Sequence, residues 1–257
     1  MKFRKIDNTE WIKNFFVDSE YLYLTNSQFN KKNFIGRIKL KTLYENLKIK
    51  SDIERYFLSN PNPYEYNGVQ GANSDIDIFL NNQLFIQNIF LLNNVQYVTF
   101  LDDDKKIYTK PLYEDSDNKN IIDCLFYTKF KNDYIFKKNN SIYFYNENKK
   151  FDFDFVNIIP FNNIFIVQKE NENIVVYSED LTFLYEIDNS FCFKKIFYIN
   201  KKNILISYRD EGVTYIYNVE SKSKIIFCNY FIINAKLINE NLIIIKPSIN
   251  DNVIFVS

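Results

Sequence analysis

Histidine is absent from this 257-residue chain, glycine occurs only four times, and Ala72 and Ala235 are the only alanines. Without histidine the chain cannot build a Ser-His-Asp or Cys-His nucleophilic site, and it lacks the commonest general base near neutral pH. It also lacks imidazole ligands for zinc or iron. So few glycines leave neither GxGxxG nor GxxxxGK in the sequence. We therefore predict no catalytic residue of these kinds, no cofactor and no metal site.

Cysteine is also scarce. Cys124, Cys192 and Cys228 are odd in number, widely spaced and set among apolar residues, which favours buried reduced thiols. The N-terminal MKFRKIDNTEW carries charges where a signal peptide needs an apolar core. No stretch approaches the roughly 18 uncharged apolar residues of a membrane-spanning helix. We expect a cytoplasmic protein without a membrane partner.

The residues that are present favour strands. The chain is 46% hydrophobic and 18% aromatic, which is enough apolar surface for a sizeable core. Abundant Ile, Tyr and Phe with few Ala favour strands over helices. We expect asparagine to do the turn work of the missing glycines, because it tolerates left-handed backbone better than other residues.

Charge is balanced overall but unevenly distributed. The 32 basic and 32 acidic residues cancel, so the electrostatic footprint of a nucleic-acid-binding protein is missing. Residues 1–60 carry 12 basic and 7 acidic side chains, whereas residues 61–130 carry 5 and 10. The acidic segment is suited to a basic partner.

Four segments share one pattern, which is a polar opening, an apolar run, a polar turn and a second apolar run. They are NDYIFKKNNSIYFYNENKKFDFDF from Asn132, NNIFIVQKENENIVVYSEDLTFLYEI from Asn162, KNILISYRDEGVTYIYNVESKSKIIF from Lys202 and ENLIIIKPSINDNVIFVS from Glu240. The first three add a third run, and further strand-like runs lie between the segments: CLFYTKF, FVNIIPF, KKIFYI and NAKLI. Each unit therefore predicts four short strands joined by hairpins.

Four-stranded units of about 40 residues resemble the blades of β-propellers. The resemblance is one of pattern, since the Gly-His and Trp-Asp marks of WD repeats and the double glycines of kelch repeats are missing. It implies an all-β propeller of five or six four-stranded blades in a single domain over residues 1–257. The last unit stops after its third strand, so we expect MKFRKI or YLYLTN from the N-terminal region to complete it.

The N-terminal half is more degenerate. EYLYLTNSQFNKKNFIGRIKL from Glu20 and VQYVTFLDDDKKIYTKPLY from Val95 predict two hairpins, with NQLFIQNIFLL supplying more strand between them. KTLYENLKIKSDIERYFLSNP has apolar residues at helical spacing and ends in a proline. We predict a short helical insertion near residues 41–59, within a helical and loop insertion over 41–77.

The loop NPNPYEYNGVQGANSDID, residues 60–77, gathers two of the five prolines and two of the four glycines. Tyrosines on a stiffened loop offer contact area at low entropic cost, and nearby aspartates add negative charge. The predicted partner-binding residues come from this loop and from the tip of the second hairpin: Tyr64, Glu65, Tyr66, Asp75, Asp77, Asp102, Asp103 and Asp104.

Carboxylate chemistry is the alternative. Some propellers hydrolyse glycosidic bonds with two carboxyl groups, and the candidates here are Asp75, Asp77, Asp102, Asp123, Asp152 and Asp154. In SDIDIF and FDFDF, however, the carboxylates alternate with apolar residues, as on one solvated strand face. RDEGVTY resembles part of the Asp-box turn of sialidase-type propellers, but an ordinary hairpin turn with Gly212 in the left-handed region is favoured. Calcium at Asp102 to Asp104 is disfavoured, because consecutive residues point in divergent directions.

These observations favour a non-enzymatic protein-binding module. Its most specific form is a bacterial immunity-type protein that neutralises a cognate toxin by covering its basic active site. The alternatives are a carboxylate-dependent, glycosidase-like propeller and a scaffold subunit of a larger assembly.

Overall fold

The structure is a computed structural model of the chain. The residues that it describes are 1, 3–5, 9–10, 12–18, 20–26, 33–41, 43, 77–81, 85–92, 95–101, 107–111, 125–131, 133–138, 141–144, 146, 149–152 and 155–257. They fall into two compact units, residues 1–121 with 233–257 (unit 1) and residues 122–232 (unit 2). The predicted single domain over 1–257 stays a prediction.

Strands dominate both units. In chain order the strands are β1 (Phe3–Lys5), β2 (Asn14–Val17), β3 (Tyr21–Thr25), β4 (Asn33–Lys39), β5 (Asp77–Asn81), β6 (Phe85–Leu92), β7 (Val95–Leu101), β8 (Ile107–Pro111), β9 (Leu125–Phe130), β10 (Asp133–Lys138), β11 (Ser141–Phe144), β12 (Lys149–Asp152), β13 (Asn157–Phe161), β14 (Ile164–Gln168), β15 (Ile174–Ser178), β16 (Phe183–Asp188), β17 (Lys194–Tyr198), β18 (Asn203–Tyr208), β19 (Val213–Asn218), β20 (Ser223–Cys228), β21 (Asn234–Asn239), β22 (Leu242–Lys246) and β23 (Ile254–Val256).

Small antiparallel sheets account for all of these strands. Unit 1 contains the sheets β2-β3-β4-β5, β6-β7-β8 and β1-β23-β22-β21, and unit 2 contains β12-β11-β10-β9, β13-β14-β15-β16 and β17-β18-β19-β20. The prediction of a mostly β chain built from small sheets is confirmed. The repeated segments begin at the second strand of a sheet, at β10, β14, β18 and β22, and the run before each segment is the first strand.

In unit 2, strand β14 is buried on both of its faces. On β14, Ile166 belongs to the apolar cluster shared with β18, which contributes Ile204 and Ile206. The flanking Phe165 and Val167 belong to the cluster shared with β10 and β11. Because alternate residues of a strand point to opposite faces, a strand between two sheets must be apolar throughout. The run IFIV is thus explained by burial from both sides.

The predicted completion of the last sheet by an N-terminal strand is confirmed. Of the two sequence candidates, MKFRKI supplies the strand, since β1 pairs antiparallel with β23. YLYLTN instead forms β3 in the sheet that follows. The pairing places residues from both ends of the chain in one sheet.

A buried polar network joins residues 9 and 10 to the C-terminal part of the same sheet and to the loop before β23. The Thr9 backbone N–H donates to Asn252 Oδ1 at 2.7 Å, the Thr9 hydroxyl donates to the same oxygen at 3.1 Å, and the Val253 N–H donates to Thr9 Oγ1 at 3.0 Å. Lys246, which is 0% exposed, donates from Nζ to the carbonyl oxygens of Thr9, Glu10 and Asp251. We call Thr9, Lys246 and Asn252 the closure latch.

Charge in the latch is costly. Burial, together with the positive charge of Lys13, lowers the pKa of Lys246 to about 8. Lys13 itself donates to the carbonyl oxygens of Glu10 at 2.9 Å and of Ile249 at 2.6 Å. Two lysines therefore bridge the N-terminal segment and the loop before β23 through backbone oxygens.

Both predicted N-terminal hairpins are confirmed, as β3 with β4 and as β7 with β8. Residues 41–59, predicted as a helical insertion, lie outside the described residues apart from Lys41 and Leu43, so the insertion stays a prediction. Within the described part of the chain, no helix has the length and apolar character needed to cross a membrane.

Turns use asparagine differently from the expectation. Gly212 has φ 60°, as the RDEGVTY hairpin predicted, but among the described residues only one of the five non-glycine positions with positive φ is asparagine, Asn162. Asparagine acts instead through its side chain. Asn200 Oδ1 accepts from the Lys202 N–H at 2.9 Å, and Asn218 Oδ1 accepts from the Ser221 N–H at 2.8 Å. An amide oxygen that satisfies turn N–H groups stabilises a turn without left-handed backbone.

Candidate functional site: the loop end of the β17–β20 sheet

Three loops meet at one end of the β17–β20 sheet. Because neighbouring strands are antiparallel, the start of β17, the end of β18, the start of β19 and the end of β20 lie together. This end is formed by the loops 189–193 and 209–212 and by residues 229–232, which follow β20. Four of their side chains, Phe191, Phe193, Arg209 and Phe231, form the surface that we call the aromatic end.

Apolar side chains at the aromatic end are unusually exposed. Phe191 is 86% exposed and Phe193 is 41% exposed. The centroids of the Phe193 and Phe231 rings lie 6.0 Å apart. The Arg209 guanidinium lies over the Phe193 ring, 5.7 Å from the centroid of that ring. The Arg209 N–H also donates to the Phe193 carbonyl at 3.0 Å, which joins two of the loops. Exposed aromatics on positioned loops are typical of recognition surfaces.

A buried lysine anchors the loop that carries Phe191. The side chain of Lys194 is 0% exposed, and its Nζ donates to Asp188 Oδ1 at 3.0 Å, to the Ser190 carbonyl at 2.7 Å and to Ser190 Oγ at 2.8 Å. The Ser190 N–H in turn donates to Asp188 Oδ1 at 2.7 Å. One desolvated cation thus fixes both ends of a short loop, with Phe191 at its tip.

Tyr208 completes this cluster. Its hydroxyl donates to Asp188 Oδ2. Burial opposes ionisation of Asp188, but the hydrogen bonds from Tyr208, Ser190 and Lys194 outweigh it and lower the pKa of Asp188 to about 2. Burial and the neighbouring Asp188 carboxylate raise the pKa of Tyr208 far above its ordinary value. At neutral pH Asp188 is therefore ionised and Tyr208 is protonated.

The loop after β20 is tied to buried hydroxyl groups of β18 and β19. Ser207 and Thr214 pair through their hydroxyls at 2.7 Å. Ser207 Oγ also accepts from the Ile232 N–H at 2.7 Å, and the Thr214 hydroxyl donates to the Tyr230 carbonyl at 2.8 Å. The chain after β20 is therefore held from beneath by side chains of β18 and β19.

The adjacent sheet of unit 2 joins the same network. Gln168, at the end of β14, donates from Nε2 to the Lys194 carbonyl at 2.8 Å and to Glu172 Oε2 at 2.7 Å. Glu172 Oε2 also accepts from the Lys194 N–H at 3.2 Å. Both sheets therefore fix the backbone where the Phe191 loop enters β17.

This chemistry is suited to positioning rather than to proton transfer. A general base or acid must change its protonation state near the working pH, and neither Asp188 nor Tyr208 does so. Lys194 is enclosed and already bonded to three oxygens. The cluster holds a loop in place, and the surface available to another molecule is the aromatic end above it.

The pKa of Asp188 predicts an acid-dependent loss of stability. Its folded value of about 2 lies below the ordinary 3.8, so its contribution is complete above pH 4 and declines as the pH falls toward 2. Asp188→Asn removes that contribution, so the stability difference between wild type and variant should narrow over this range. Denaturant unfolding at pH 6, 4, 3 and 2.5 measures it, and a difference that stays constant contradicts the prediction.

Most of the site residues predicted from sequence lie outside the described residues. These are Tyr64, Glu65, Tyr66, Asp75, Asp102, Asp103 and Asp104. Asp77 is described as the first residue of β5, where its backbone pairs with Arg37 on β4. The partner-binding loop at 60–77 therefore stays a prediction.

Among the aspartates considered for glycoside hydrolysis, Asp152 is described on β12. It is exposed, accepts from the Ser141 hydroxyl at 2.7 Å and lies 3.3 Å from Lys150 Nζ. The hydrogen bond from Ser141 and the neighbouring Lys150 lower its pKa. Asp152 is thus an exposed, paired carboxylate on a strand, as the alternation in FDFDF indicated. A general acid needs a raised pKa, which is the opposite of the shift at Asp152.

Two of the three cysteines lie among the described residues. Cys228 is buried and Cys192 partly buried, both as free thiols, and burial raises the pKa of Cys228. In the ranges that the structure describes, no group of three or more acidic or cysteine side chains could hold a metal ion.

Sequence reasoning missed the aromatic end. The segment DNSFCFKK between two strands contains both loop phenylalanines, yet only Cys192 and the following strand were considered in it. Two phenylalanines in a short loop that opens with Asp, Asn and Ser were a usable signal. That Lys194 is buried and Phe191 exposed was not readable, because apolar residues are ordinarily inside and lysines outside.

Comparison with solved structures finds proteins that are similar to this chain in fold. The chain is similar to the extracellular domain of a hybrid two-component system from B. thetaiotaomicron, with 14% identity, a TM-score of 0.50 and coverage of 95% of this chain and 32% of that one. It thus spans about a third of that protein's chain. It is also similar to BamB from Moraxella catarrhalis (10% identity, TM-score 0.48, coverage 95% and 71%). A third similar structure is KlHsv2 with a replaced loop (9% identity, TM-score 0.47, coverage 91% and 73%). No protein-family model and no curated protein matches the sequence.

Proposed function

We propose that this chain is a non-enzymatic protein-binding module that docks its partner through the aromatic end. The observation that carries the proposal is Phe191, 86% exposed at the tip of a loop that the fully buried Lys194 fixes in place. Because the loop backbone is held at Ser190, little further loop ordering is needed when a partner covers Phe191. Binding that buries Phe191 therefore gains hydrophobic free energy at a reduced loop-ordering cost.

The architecture that fits this role is a β-propeller whose blades are the six sheets. Support comes from the four-strand meanders of unit 2 and from the completion of the last sheet by β1. Blades that cover one another leave only short edges and give loops a rigid support.

Within this class, the immunity-type form gives the partner a basic surface. Its support is the acidic segment 61–130, with 10 acidic and 5 basic residues. In this form acidic side chains of that segment cover the cationic active site of a toxin. Charge complementarity of this kind speeds association and excludes wrong partners.

The test is affinity purification from the source cell with wild type and Phe191→Ser, followed by mass spectrometry and a measured Kd for the recovered partner. Loss of a central aromatic anchor costs about 2 kcal/mol, so we expect roughly a 30-fold weaker Kd. Phe183→Ser is the matched control, because Phe183 is 57% exposed on β16 and lies outside the aromatic end. Equal affinity of wild type and Phe191→Ser overturns the docking surface.

The immunity form is tested on the same partner by reversing Asp75, Asp77 and Asp102 to Asp104 to lysine. We expect weaker binding at low salt and a smaller difference at high salt, where charges are screened. Glu220→Lys is the control reversal, because Glu220 is exposed in unit 2 and 60% of its side chain is accessible. Reversals that leave the Kd unchanged remove the immunity form and leave the Phe191 result standing by itself.

A further inference from the structure

The outer edge of β23 is covered by a very small strand. β1 contains three residues, and its pairs with β23 run from Phe3 with Val256 to Lys5 with Ile254. Phe3 is 44% exposed and Lys5 is exposed. The hydrophobic gain from β1 is therefore limited, because neither Phe3 nor Lys5 is buried.

The closure latch is built from residues outside β1. The closure latch holds residues 9 and 10 through Asn252 and Lys246. On β23, Phe255 is 1% exposed and packs in the core of unit 1. Separation of β1 breaks three residue pairs and leaves this core and the latch in place. It uncovers a row of backbone N–H and C=O groups along β23, which is a template for another strand.

We propose that the β23 edge is a strand-exchange site, and that its external occupant is the N-terminal strand of a second copy of this chain. The strand known to fit the edge is Phe3–Lys5, and every copy carries it. From the latch at residue 9 to residue 5, extended chain reaches roughly 14 Å. Two copies with facing β23 edges exchange arms reciprocally about a two-fold axis, and each pairing formed replaces an identical pairing lost. This site is independent of the aromatic end.

The first experiment uses a fluorescein-labelled peptide of residues 1–8, MKFRKIDN, as the probe. It is titrated into full-length wild type and into Arg4→Pro/Lys5→Pro. Adjacent strand residues direct their N–H groups to opposite sides, so the double variant removes a donor toward β23 whichever residue supplies it. The variant's own strand then no longer competes, and we expect the peptide to bind it at least about 10-fold more tightly than wild type.

The control peptide carries the same two prolines, MKFPPIDN, and should not bind. Equal binding of the two peptides, or no gain in the variant, overturns the proposal. If the double variant fails to give a cooperative unfolding transition, Phe3→Gly replaces it, because glycine weakens β1 without removing a donor.

The second experiment measures mass by sedimentation equilibrium over a wide range of protein concentration. We expect a wild-type dimer fraction that rises with concentration and is absent from Arg4→Pro/Lys5→Pro. A variant that dimerises as well as wild type places the interface elsewhere, and a wild type that stays monomeric throughout removes the second copy as occupant. Phe191→Ser should dimerise like wild type, which separates this result from the proposed function.

Discussion

Asp188→Ala should lower the free energy of unfolding by about 3–4 kcal/mol, because it strands the charge of Lys194 away from water. The side chain of Lys194 is 0% exposed, and Asp188 is its only carboxylate partner among the ion pairs of the described residues. Tyr208 loses the acceptor of its hydroxyl in the same step. Denaturant unfolding measures the change.

Lys194→Met is the matched variant and should cost less, about 1–2 kcal/mol, since an apolar chain fills the space and no charge is left without a partner. Asp188 keeps the Tyr208 hydroxyl and the Ser190 N–H as donors, and 13% of its side chain reaches water. The double variant should cost less than the sum of the two single variants, because the groups are directly coupled. A larger loss for Lys194→Met than for Asp188→Ala contradicts the account.

The Lys194→Met variant also connects stability to function. Lys194 bonds to both the carbonyl and the hydroxyl of Ser190, so its loss frees the loop that presents Phe191. Lys194→Met should therefore weaken partner binding even under conditions where the protein is fully folded. The free energy needed to order a mobile loop on binding offsets part of the interaction energy.

Asn252→Ala should cost about 2–3 kcal/mol, the second large effect, because one oxygen accepts both the backbone N–H and the hydroxyl of Thr9. Thr9 is 0% exposed, so its N–H has no access to water once Asn252 is truncated. Hydrogen exchange should show faster exchange in the segment around Thr9, and chemical denaturation gives the free-energy change.

Asn239→Ala is the control for this variant. Asn239 Oδ1 also accepts a backbone N–H, that of Asn241 at 2.9 Å, but at an exposed turn. Water replaces the lost oxygen there, so the expected cost is below about 1 kcal/mol. Equal costs for the two asparagines are incompatible with a buried latch.

Much of the fold was readable because strands are encoded locally. Alternating and continuous apolar runs predicted β3 with β4 and β7 with β8, and the truncated last repeat predicted that an N-terminal strand would complete its sheet. The repeated segments found in the sequence begin at the second strand of each sheet rather than at the first. The first strand of each sheet lies after a connection of variable length, which hides its relation to the other three.

The sequence predicted only part of how the turns are stabilised. Gly212 was predicted in the left-handed region because a hairpin with few alternatives required it. The abundance of asparagine was recognised as turn-forming, but its mode of action was not. Whether an amide stabilises a turn through its backbone or through its side chain depends on which N–H groups the turn leaves without partners, as at Asn200 and Asn218.

By itself, the sequence determined the absence of imidazole chemistry, the β class of the chain and the completion of the last sheet by an N-terminal strand, because composition and short-range pattern carry that information. Which of the two N-terminal candidates completes the sheet was decided only by the structure. Only the tertiary structure decided that Lys194 and Lys246 are buried while Phe191 is exposed. A lysine can enter the interior only where loops distant in sequence converge to supply enough oxygen atoms, and no local pattern records that convergence.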